Sequence, residues 1–93
     1  MKKLVLLAVM AMGLNAGCLE GLETLNKMQA VVVEDIDNGN LKIAKEAAET
    51  SVKAVTIWLN ECKYDAPDYA VESVIQMGMM DAMIVDKLEA KGY

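Results

Sequence analysis

Residues 41–63 read LKIAKEAAETSVKAVTIWLNECK, and this stretch decides the fold. Ala48, Val52, Val55, Leu59 and Cys62 recur at alternating steps of four and three, the repeat of one helix face. Ala44, Ala47, Ala54 and Trp58 widen that face, while Lys45, Glu46, Glu49 and Lys53 occupy the other side. A helix this broadly apolar needs a neighbour on each flank, and its alanines let those neighbours approach closely. Upstream, Asn38-Gly39 predicts a helix stop, with Gly39 in the left-handed conformation and Asn40 as the next N-cap. The stretch before it, from about Cys18 to Asp37, carries a second seam of Cys18, Leu22, Leu25, Val32 and Ile36, interrupted by Gln29. Downstream, Asp65-Ala66-Pro67-Asp68 punctuates the chain again, with Asp65 as a candidate N-cap and Pro67 in the first turn. A third helix then continues to about Lys91, where Gly92 ends it. The expected fold is all-α: a small antiparallel three-helix bundle, up-down-up, with short turns.

The N-terminus adds a compartment. Lys2 and Lys3 precede an eleven-residue apolar run over residues 4–14, followed by Asn15-Ala16-Gly17. This is the pattern of a secretory signal peptide, too short for a stable transmembrane helix. Residues 1–16 are therefore expected to be removed, leaving residues 17–93 as one helical domain in the periplasm or outside the cell. Export makes Cys18 and Cys62 candidates for a disulfide. Taking Gly39 as the apex of a hairpin, the two cysteines fall within about 3 Å of the same axial height, at 1.5 Å of rise per residue. The rival expectation is a membrane-anchored lipoprotein acylated on Cys18, because Ala16-Gly17-Cys18 suits such a site. Against it, Asn15 stands where an aliphatic residue belongs, and acylation leaves Cys62 unpaired.

Composition removes several functions. Without Lys2 and Lys3 the chain holds seven lysines against fourteen acidic residues, a formal charge of −7. It has no arginine and no histidine. Nucleic acids and anionic membranes are poor partners for such a surface, and a charge-steered partner is expected to be a basic protein. With no histidine, Ser51 and Ser73 have no general base of the usual kind, and no cofactor motif is present. An enzyme is not expected. Asp35-Ile36-Asp37-Asn38-Gly39-Asn40 with Glu46 imitates a calcium loop, but Lys42 and Ile43 break its inner pattern.

The remaining signal is Met77-Gly78-Met79-Met80-Asp81-Ala82-Met83. At 100° per residue, Met77 and Met80 share the face of Val74, Ile84 and Leu88, which predicts core positions. Met79 and Met83 stack at i, i+4 beside Glu72, Gln76 and Asp86, on a face that a core alone does not explain. Asp81 projects among Met77, Val74, Val85 and Leu88, so it needs either a lysine partner or an apolar face wider than one core requires. Met79, Met80, Met83 and Asp81 are therefore the expected docking residues, for a basic partner or for self-association through the third helix. A weaker alternative is a thioether site for Cu(I), since Met77, Met80 and Met83 spell MxxMxxM. The layout is also similar to that of acid-stress periplasmic chaperones in size, compartment and cysteine count. No residue motif carries that similarity, so it implies no site residues.

Overall fold

The computed structural model describes residues 17–93; the expected signal peptide lies outside them. The described residues are helical, with no strands. Helix α1 spans Cys18–Asp37, α2 spans Leu41–Cys62 and α3 spans Asp68–Ala90. The start of α1 meets the end of α2, where Trp58 Nε1 donates to the Cys18 carbonyl at 2.8 Å. The start of α2 meets the end of α3, where Lys45 Nζ donates to the Tyr93 carbonyl at 2.7 Å and lies 3.7 Å from Glu89. These contacts fix an up-down-up order. Helix α2 is the middle element and packs extensively on both neighbours, whereas α1 and α3 touch little.

Local chemistry explains the breaks. Gly39 takes φ +77°, as its place after α1 requires, and Asn38, Gly39 and Asn40 return their N–H groups to Glu34, Ile36 and Asp35. Asn40 stands at the N-cap of α2 and its carbonyl accepts from Ala44, but its side chain makes no capping bond. The second turn differs from expectation. Asp65 is not an N-cap: its N–H and that of Ala66 close onto the Cys62 carbonyl, and Pro67 takes the N-cap position in an extended conformation. A residue before proline is pushed away from the helical region, so Ala66 cannot begin the helix and the start moves to Asp68.

One apolar cluster gathers Leu25 and Met28 of α1, Ala54, Val55, Trp58 and Cys62 of α2, and Ala70, Val74 and Met77 of α3. Cys18 and Cys62 lie at its edge at disulfide distance, with Cα atoms 5.7 Å apart. Helices α2 and α3 come close at Gly78, where an added Cβ would sit 2.9 Å from Cγ1 of Val55. Val55 is buried and β-branched, so it cannot rotate away freely. Gly78→Ala gains about 1 kcal/mol of helix propensity but incurs overpacking of about 1–3 kcal/mol. We expect a net loss near 1 kcal/mol in urea unfolding, with Gly78→Ala and Val55→Ala coupling favourably in the double variant.

Candidate interaction surface and buried polar layer

The methionines divide by their angle on α3. Met77 is buried in the core, as expected. Met79 and Met83 face solvent at 63% and 58% exposure, on the side expected to be polar. Met80 departs from expectation: it is 53% exposed rather than a core residue. Its angle points toward α1, and the slight contact between α1 and α3 leaves that flank uncovered. Met80 Sδ instead accepts a hydrogen bond from Gln29 Nε2 of α1 at 3.3 Å. Met79, Met80 and Met83 thus form one exposed patch, extended by Ile75, and Met77 points away from it. The MxxMxxM set is not brought onto one face.

Asp81 is fully buried, as its angle predicts. No lysine meets it. The neighbours that bear on its charge are Ser51 of α2 and Gln29 of α1, so each helix contributes one residue to a polar layer across the middle of the bundle. The layer is poorly satisfied. Neither Asp81 oxygen, nor Ser51 Oγ, nor Gln29 Oε1 makes a hydrogen bond of good geometry. Burial pushes the Asp81 carboxyl above the usual carboxylate range, and the nearby Ser51 hydroxyl and Gln29 amide only partly oppose this. Ser51→Ala removes one opposing dipole. We expect it to raise the Asp81 pKa further, as read from the side-chain carboxyl 13C shift during titration.

Ser51 and Gln29 were not among the expected site residues. Their register was nonetheless readable: Gln29 lies ten residues before Gly39 and Ser51 twelve after it, and about fifteen residues separate each of Ser51 and Asp81 from Asp65. In antiparallel helices such spacing puts all three at one height. Elsewhere on the described residues an open groove runs along α1, lined by Asn26, Gln29, Ala30, Val33, Glu34 and Asp37. Among the described residues no three His, Cys, Asp or Glu side chains converge as metal ligands, and no helix is long and apolar enough to cross a membrane. No known protein family, curated protein or solved structure matches the chain.

Proposed function

We propose that the chain is an exported, non-enzymatic interaction protein of the cell envelope, acting as an inhibitor, an immunity-type protein or an assembly subunit. The carrying observation is the patch of Met79, Met80 and Met83 on the outer face of α3. Flexible thioether side chains suit adaptable protein recognition, and exposed apolar patches mark docking sites more often than accident. The charge of −7 over residues 17–93 makes a basic partner the favoured occupant, since two copies of the chain repel each other. Export and oxidation of Cys18 with Cys62 are parts of this reading. The oxidised, unlipidated form is two mass units below the reduced chain, and a lipid increment would replace that reading with the lipoprotein.

The test is affinity capture from envelope extract at low and high salt. We expect a basic protein to be retained, weakened by salt, and lost with Met79→Lys and Met83→Lys. Retention of the same partner by both variants would overturn the assignment of the patch. The acid-chaperone reading requires the bundle to loosen as carboxyls protonate. Asp81 weighs against it, because protonation relieves the cost of burying this group.

A further inference from the structure

We propose that Met79, Met80 and Met83 form a three-thioether site for a soft monovalent metal ion, Cu(I) or Ag(I). This inference does not depend on the existence of a protein partner. On α3 the three residues span about 100° of the outer face, with Met83 one turn beyond Met79 and Met80 and angularly between them. Met83 stands at i+4 from Met79 and i+3 from Met80, with Cβ separations of roughly 5–6 Å, and three flexible bonds in each methionine let the sulfurs of the adjacent Met79 and Met80 converge on it from either side. Each of the three is more than half exposed, so an ion reaches them without opening the core.

Two further observations favour a cation here. Gln29 Nε2 holds Met80 Sδ from the neighbouring helix. One sulfur lone pair accepts that hydrogen bond and the other stays available, so Gln29 acts as a positioning residue. The exposed carboxylates of Glu72 and Asp86 share this face with the exposed Lys87, which lies one turn beyond Met83. Ligand type then selects the ion. Thioethers prefer soft d10 cations, and the chain has no histidine to recruit Zn(II) or Cu(II). The site differs from the MxxMxxM set, because Met77 is committed to the core and Met79 replaces it.

The experiment titrates Ag(I) nitrate, a redox-stable probe, into the protein with Cys18 and Cys62 oxidised, in chloride-free buffer. Methionine methyl resonances report the binding site. We expect saturation at one equivalent, with the methyl signals of Met79, Met80 and Met83 moving and those of Met28 and Met77 staying in place. Each of Met79→Leu, Met80→Leu and Met83→Leu should weaken binding at least tenfold, and the triple variant should abolish it. Gln29→Leu should weaken it less while leaving the three methionines in place. Unsaturable shifts, or a triple-leucine variant that binds like the parent, would overturn the site. Leucine keeps the patch apolar, so capture of a basic partner by the triple variant without silver binding separates the two uses of this face. Loss of silver binding alone supports the metal site; loss of capture with silver binding retained supports the docking role and overturns the metal site.

Discussion

Breaking the Cys18–Cys62 link is expected to produce the largest loss of stability that a small change can cause in this chain. The cysteines are 44 residues apart in sequence and their Cα atoms lie 5.7 Å apart. Closing a loop of that length removes chain entropy from the unfolded state, contributing about 4 kcal/mol. A domain of under a hundred residues shifts its melting temperature by about 4–8 °C per kcal/mol. Cys18→Ala with Cys62→Ala should therefore lower Tm by roughly 15–30 °C. Thermal unfolding by circular dichroism, with intact mass to verify the oxidised parent, checks this. An unchanged Tm would show that the ends of α1 and α2 are held by packing alone, through the hydrogen bond from Trp58 to the Cys18 carbonyl and its surrounding core.

Asp81→Asn should act in the opposite direction. The native carboxyl is buried without a cation, and burial raises its pKa above the ordinary value. The folded state therefore holds the Asp81 proton to higher pH than the unfolded chain does. The stabilisation linked to this group is complete below the unfolded-state pKa and is lost as pH rises through the folded-state value. Above that value the protein is left with a buried, poorly bonded charge. Asparagine has nearly the same shape, carries no charge, and can donate to its neighbours as well as accept from them. We expect a gain of about 1–3 kcal/mol where the parent carboxyl is ionised, shrinking as pH falls through the folded-state pKa and gone below about pH 4. Urea unfolding across pH 4–8 measures it. A variant less stable than the parent at pH 7 would mean that the carboxylate is better solvated than its burial indicates.

The helices were legible because their signals are local and redundant. The bounds of α1 follow from a seam that ends at Asn38-Gly39, and the 4-3 repeat of α2 identifies the middle helix by its width. Nearly equal spacing from Gly39 places Cys18 and Cys62 level, and the structure brings them to disulfide distance. The start of α3 was misplaced because Asp65 offers the right side chain for a cap, whereas Pro67 dictates the backbone around it. Met80 was placed in the core because a helical wheel records angle and not coverage. Whether a flank is covered depends on how closely α1 approaches α3, a property of neither helix alone. Asp81 was legible as an anomaly, and its partners were not. A buried carboxylate calls for a counter-charge, which only a lysine could provide in this chain, whereas the structure supplies a hydroxyl and an amide.

The packing of α2 between two neighbours that barely meet has a further consequence. The molecule resembles a binder whose first leaf is clasped to the spine by the cysteine pair, and whose last leaf is joined to it by residues 63–67 and by non-covalent contacts such as that of Lys45 with Tyr93. With the clasp closed, α1 and α2 remain a pair through partial opening events, and α3 is the leaf free to swing. Ionisation of Asp81 adds a cost to packing α3 against Ser51 of α2 and Gln29 of α1, so rising pH loosens that packing. Hydrogen exchange should find α3 opening before the other two. The segment that carries Met79, Met80 and Met83 to the outside world is thus the one the architecture can release without dissolving the rest.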